Sequence, residues 1–235
     1  MSQPPILLHL DSSARLAGSA SRALTAAFVQ AWQTRHGATQ PAVSSGANLD
    51  ANLGASLSAG SSQQPQVIYR DLGQQPLPAI DQTWVAAYET EPEARTGEMM
   101  AAIALSDQLL DELFAADYYV FGVPMYNLTI PTALKAYLDQ VVRRDRSLDL
   151  SQGKPQGCLT GKKALVITTR KFNYRPGTEA ASRNFLEPYL EAIFKIMGIA
   201  DLTFVVADRL GEGAEVRAER LAQAEQELLQ LAQYW

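Results

Sequence analysis

Large apolar residues in this chain gather into short unbroken runs rather than spreading evenly. Such runs occupy 6–10, 67–69, 118–123 and 164–168, with 203–206 a fifth candidate. Continuous apolar runs suit strands buried on both faces of a parallel sheet, whereas strict alternation would mark a half-exposed one. Between the runs, apolar positions recur at helical spacing. Leu24, Ala27, Phe28 and Ala31 mark a helix over 21–32, and Ile103, Leu109, Leu110 and Leu113 mark one over 99–114. Leu134, Tyr137, Leu138 and Val141 share a face of 131–142, which opens on a proline at a tolerated first-turn position. A helical pattern over 181–198 is interrupted by Pro188, and Val216, Leu221, Leu228 and Leu231 pattern a last helix over 213–235. This alternation predicts a doubly wound α/β fold, with a five-stranded parallel sheet, helices on both faces and right-handed crossovers. Ligands of such sheets sit beyond the carboxyl ends of the strands. Residues just after each strand are therefore the candidates for chemistry.

Two segments break the pattern. Residues 37–66 are dominated by Gly, Ala, Ser, Asn and Gln. Leu49, Leu53 and Leu57 recur there every four residues, which would allow a weak surface helix, but the composition favours a flexible insertion between the first helix and the second strand. The stretch 143–157 is polar and loop-like. The chain otherwise reads as one domain, 1–235, with 47% hydrophobic residues against 19% charged ones, enough for a sizeable core.

Composition narrows the chemistry. A net charge of −5 argues against a nucleic-acid binder, which would present a basic face. The single cysteine, Cys158, excludes a disulfide framework and any multi-thiolate metal site, and reads as a small packed residue. Of the two histidines, His9 falls inside a strand and reads as a core or strand-end residue; His36 is the other. No apolar run approaches the ~18–20 residues of a bilayer span. The first residues lack the basic start of a signal peptide, so a cytoplasmic protein is expected.

Two loops carry candidate chemistry. The first follows the opening strand and holds Ser12, Ser13, Gly18, Ser19, Ala20 and Ser21. Free N–H groups and positive dipole density at the helix start favour a phosphate, and the serine hydroxyls add donors. It is neither a Walker loop nor a GxGxxG fingerprint, so it suits the single terminal phosphate of a mononucleotide; the plainer reading is a serine cap. The second loop follows 118–123. Pro124 and Pro131 stiffen its ends around Met125, Tyr126, Asn127 and Leu128, which offer apolar faces and fixed polar groups to a flat heterocycle. A proline-bracketed turn with Tyr126 packed inward is the alternative.

Taken together, Ser12-Ser13, Gly18-Ser19-Ala20-Ser21 and Pro124-Met125-Tyr126-Asn127 resemble the FMN-dependent NADH:azo-compound/quinone reductase family. Arg70-Asp71-Leu72, Pro131-Thr132-Ala133-Leu134-Lys135 and Thr160-Gly161-Lys162-Lys163-Ala164 extend the resemblance over 6–34, 67–142 and 157–206. It implies a flavodoxin-like fold, a homodimer and non-covalently bound FMN, with NADH or NADPH as reductant and quinones or azo compounds as acceptors in ping-pong order. By motif, Ser13, Ser19, Ala20 and Ser21 would hold the FMN phosphate. Met125, Tyr126, Asn127 and Leu128 would border the ring, and Thr169 and Arg170 would form a third cofactor loop. No single side chain stands out as catalytic, because the chemistry belongs to the cofactor.

Two departures from the family matter. Its third loop continues into two glycines, where this chain has Lys171-Phe172. If the backbone required left-handed geometry there, it would cost roughly 1–2 kcal/mol per residue. Lys171 either approaches the N1/C2=O edge of the flavin or points to solvent. Family aromatics are also replaced by Asp145-Arg146-Ser147-Leu148-Asp149-Leu150, which makes quinone reduction the firmer activity. Arg143, Arg144 and Arg146 form either a clamp for a 2′-phosphate or a solvated basic turn. The competing readings are a non-enzymatic flavodoxin-type electron carrier and an FMN-binding partner protein.

Overall fold

A computed structural model describes residues 4–37 and 65–235. Along the chain run β1 (Ile6–Asp11), α1 (Ala20–Arg35), β2 (Gln66–Asp71), α2 (Gln82–Glu89), α3 (Gly97–Ala115), β3 (Tyr118–Pro124), α4 (Thr132–Val141), the two-residue strands β4 (Leu148–Asp149) and β5 (Gln156–Gly157), β6 (Lys163–Thr169), α5 (Glu187–Ile196), β7 (Asp201–Ala207) and α6 (Ala214–Leu231). Five strands form a parallel sheet in the order β2-β1-β3-β6-β7. The chain winds outward from β1 to β2 on one side and from β3 to β7 on the other. The switch point, where a ligand crevice opens, therefore lies between β1 and β3.

Alternate strand residues feed two cores. On one face, Phe28 and Trp32 of α1 and Leu228 of α6 pack on Leu7, Val120, Leu165 and Ile167. On the other, residues of α3, α4 and α5 such as Leu109, Leu134, Tyr137 and Phe194 pack on Leu8, Phe121 and Val166. Each such buried side chain contributes about 1.5–3 kcal/mol. That is why the strands are apolar throughout instead of alternating. The five expected strands are all present, each longer by one to three residues at one end or both. Among the described residues, no helix is long and apolar enough to cross a membrane.

Several expectations need correction. Pro188 does not interrupt a helix over 181–198; it lies in the first turn of α5, where its missing N–H has no intrahelical acceptor to lose. Residues Ala181–Arg183 form only a 3₁₀ turn. Helix α2 was not expected. Asp81 caps it, accepting from the Trp84 N–H at 2.8 Å, and the Trp84 indole donates to Gln140 Oε1 of α4 at 2.8 Å. Cys158 is exposed, not packed. The insertion expected at 37–66 lies almost wholly outside the described residues.

The polar stretch 143–157 is more ordered than a solvated loop, since it holds β4 and β5. Arg143 is 1% exposed, and its guanidinium bonds Asp145 at 2.6 and 2.9 Å, Asp107 at 2.7 Å and the Ser106 hydroxyl at 3.0 Å. Arg144 bonds the Glu89 carbonyl, and Arg146 bonds Asp111 at 2.6 Å. These arginines are structural ties, not a free clamp. Asp145 also accepts from Arg95 at 2.7 Å. Burial pushes the Asp145 carboxyl upward, but hydrogen bonds from Arg143 and Arg95 outweigh it and hold its pKa at about 2.

A folded-state pKa below the ordinary carboxylate value stabilises the fold above about pH 4, and the contribution is lost as pH falls through 2. Asp145→Asn should therefore lower unfolding free energy at pH 7 by on the order of 2 kcal/mol, with the gap to the unmodified chain narrowing as pH drops from 5 towards 3. Urea denaturation across that range checks this; a pH-independent gap would contradict it.

Candidate functional site

The carboxyl ends of β1, β3 and β6 are in register: Asp11 pairs with Gly122, and Pro124 with Thr169. Beyond them the chain turns in three loops. Ser12 fastens the first to the second, donating to the Gly122 carbonyl from its N–H at 3.0 Å and its hydroxyl at 2.7 Å. A Cβ at Gly122 would stand 2.4 Å from Asp11 Oδ1 and 2.9 Å from the Thr25 methyl, so only glycine allows this approach. Ser13 is buried, and its hydroxyl lies 3.3 Å from the Tyr126 hydroxyl, joining the two loops at their inner edge. The third loop joins through the Met125 N–H, which donates to the Thr169 carbonyl at 2.8 Å.

The start of α1 faces this junction. Ser19 is its N-cap residue, with extended backbone, but its side chain makes no capping hydrogen bond; instead its hydroxyl lies 3.2 Å from that of Ser21. The first intrahelical bond of this turn runs from the Ala23 N–H to the Ser19 carbonyl at 3.2 Å. The N–H groups of Ala20, Ser21 and Arg22 thus have no intrahelical acceptor, which is the arrangement that binds an anion. A serine that served only as a cap would accept a backbone N–H. The Ser19 side chain therefore does not act as a cap.

The second loop is a two-residue reversal. The Tyr126 and Thr129 backbones exchange hydrogen bonds of 3.0 Å in both directions, with Asn127 at φ 46° and Leu128 at φ 73°. Positive φ at both central residues is type I′ geometry. Asparagine accepts it; leucine does so at about 1–2 kcal/mol. Among the described non-glycine residues only Asn127, Leu128 and Arg209 have positive φ, and neither Lys171 nor Phe172 does. Met125 is half-buried and Tyr126 exposed, so Tyr126 does not pack inward as a plain turn residue would.

On the third loop the two candidates differ. Thr169 is buried at the end of β6. The Arg170 guanidinium is paired with Glu187 of α5 and lies 5.7 Å above the Tyr174 ring. Its backbone N–H donates to the Ala207 carbonyl at 3.0 Å and its carbonyl accepts from the Leu210 N–H at 3.2 Å, while its buried Nε has no hydrogen-bond partner among the described residues. Lys171 is exposed; its stem lies along Gly211 beyond β7, on the side of β6 away from β3. That is the solvent-facing alternative.

Sequence reasoning missed Phe185, whose N–H donates to the Leu128 carbonyl at 3.1 Å and whose ring is exposed beside the reversal. It also missed Arg22, which bonds Asp71 and the Ser13 carbonyl from beneath the serine loop. Burial raises the Asp71 carboxyl, but hydrogen bonds from Arg22 and Gln74 prevail and hold it below its usual range. Burial, then the Asp11 charge, raises the neighbouring Tyr69 hydroxyl, which stays a protonated donor.

The arrangement defines a flavodoxin-like α/β protein, with the serine loop and the Met125 loop meeting beyond β1 and β3. Comparison agrees. The family described as flavodoxin-like fold matches residues 40–232. The FMN-dependent NADH:quinone oxidoreductase 2 of Trichormus variabilis is 40% identical over 230 residues, covering 97% of this chain and 99% of that protein. The FMN-dependent NADH:quinone oxidoreductase 1 of Pseudomonas fluorescens is 37% identical over 232 residues, covering 96% and 97%. An azoreductase structure from Bacillus anthracis superposes with a TM-score of 0.80 at 21% identity, over 98% of this chain and 100% of that one, and so speaks to the fold. The chain belongs to the flavodoxin-like family of FMN-dependent NADH:quinone oxidoreductases.

The strain at Leu128 is testable. Leu128→Gly relieves the left-handed penalty and should match or exceed the parent in thermal stability, whereas Leu128→Val, branched at Cβ, should lower it by about 1 kcal/mol or more. Equal melting temperatures for the two variants would contradict the assigned backbone.

Proposed function

We propose that this protein is an FMN-dependent oxidoreductase that transfers hydride from NADH or NADPH to quinones, and to azo compounds, in ping-pong order. The observation that carries the proposal is the meeting of the serine loop and the Met125 loop through the Ser13 and Tyr126 hydroxyls, beside the uncapped start of α1. The relatives named FMN-dependent NADH:quinone oxidoreductase support it.

The residues fit FMN. Ser19 would offer its hydroxyl, and Ala20 and Ser21 their first-turn N–H groups, to a phosphate dianion, and the buried hydroxyls of Ser13 and Ser21, now bonded to Tyr126 and Ser19, would turn to join them. Met125, Tyr126, Asn127 and Leu128 would border the ring, and the rigid reversal fixes the direction of their backbone groups. Thr169 and Arg170, on the third loop, would close the third side. When bound, FMN supplies hydride acceptance from the nicotinamide and hydride delivery to the oxidant. The protein's part is to orient both rings, keep water from the inner edge at Ser13, and release one nicotinamide before admitting the acceptor. The chain forms one flavin-binding unit and acts in the cytoplasm. It acts as a homodimer, for which the exposed Ile80 and Val85 beside Trp84 and Tyr189 offer a surface.

Purified protein should take up one FMN per chain, and its visible absorption should bleach on adding NADH without any partner protein. Steady-state rates with varied NADH and quinone should give parallel double-reciprocal lines. Failure to take up FMN would overturn the proposal. Uptake with no bleaching by NADH or NADPH would favour the electron-carrier reading.

A further inference from the structure

Arg22 sits in the first turn of α1, and its side chain turns back beneath the serine loop. Arginine has five N–H donors in a rigid fork, and here each finds an acceptor. Nε donates to the Arg15 carbonyl at 3.1 Å. One terminal nitrogen reaches the Ser13 carbonyl at 2.8 Å and Asp71 Oδ1 at 2.6 Å. The other reaches Asp71 Oδ2 at 2.5 Å and the Tyr69 hydroxyl at 3.4 Å. Asp71 is itself fixed, accepting the N–H groups of Gly73 and Gln74, each at 3.0 Å, and the Gln74 side-chain amide at 2.7 Å. A Cβ on Gly73 would stand 2.0 Å from the Ser13 carbonyl oxygen, so the loop after β2 presses directly on the serine loop.

We infer that Arg22, anchored by Asp71, is a positioning residue that sets the serine loop for the FMN phosphate. This rests on the flavin reading above. A phosphate dianion needs donors around it and carbonyl oxygens kept away. Arg22 draws the Ser13 and Arg15 carbonyls to its own side. In a planar trans peptide the next N–H points the opposite way. The N–H groups of Ala14 and Leu16 are therefore directed away from the guanidinium.

Geometry, not charge, is what Arg22 contributes. Its guanidinium faces two carboxylates, Asp71 and, at 3.8 Å, Asp11. Even a protonated His9, 3.4 Å from Asp11, would only bring the cluster to neutrality. This cluster itself offers the ligand no surplus positive charge. Lysine would keep the charge but not the fork that holds two carbonyls and a carboxylate at once.

The test compares FMN with riboflavin, which lacks the phosphate, by fluorescence titration of the full chain. Arg22→Lys and Asp71→Asn are each measured beside the unmodified protein, with circular dichroism to report folding. The expected result is FMN binding weakened at least about tenfold in both variants, with riboflavin affinity changed by less than about twofold. General damage to the fold would weaken both ligands alike, and that outcome overturns the inference. Arg22→Lys retaining the preference for FMN, or Asp71→Asn tightening FMN, would also overturn it, because charge alone would then suffice. Asp71→Asn keeps Arg22 and decides the matter even where Arg22→Lys is unfolded. If the unmodified protein takes up no FMN, the flavin reading itself fails, and the inference falls with it; an unchanged preference alongside normal FMN uptake sinks the inference alone.

Discussion

The parallel pairing of β1 with β3 is the constraint on which everything near the crevice depends. It brings Asp11 opposite Gly122 and lets Ser12 bond one carbonyl from both its backbone and its side chain. Two loops that leave the sheet more than a hundred residues apart in the chain are thereby fixed within hydroxyl reach. A slip of one residue would turn every side chain of a strand to the other face and drive Leu7 and Leu8 out of their cores. The burial of those cores therefore holds the loop junction as firmly as any bond within it.

Rigid backbone supports the junction from three sides. The type I′ reversal at Asn127 and Leu128 fixes the second loop, the Met125–Thr169 bond fixes the third, and Arg22 with Asp71 braces the first from below. Strain of about 1–2 kcal/mol at Leu128 is tolerable beside a core of this size. It persists because neighbouring contacts over-determine the turn, including the Phe185 N–H on the Leu128 carbonyl.

The sheet was legible in the sequence because its strands are buried on both faces, which leaves unbroken apolar runs. The serine loop and the Met125 loop were legible because ligands gather after parallel strands. Helix α2 was not, since it has only eight residues and buries little beyond Trp84 and Ala87. The burial of Arg143 was hidden too: Asp145 is near in sequence, but Ser106 and Asp107, which complete its bonds, lie 37 and 36 residues away. Arg22 was masked in the same way, being a polar residue in a helix start whose partner Asp71 is 49 residues off. At Lys171-Phe172, where the family has two glycines, the backbone takes a path without positive φ, so no left-handed strain arises there.

A crystal structure of the chain with FMN tests the central claim most directly. The phosphate should lie within hydrogen-bond distance of the α1 start and the serine hydroxyls, with the isoalloxazine ring against the reversal at 126–129. A flavin lodged at any other edge of the sheet, or a phosphate pointing away from α1, would contradict it.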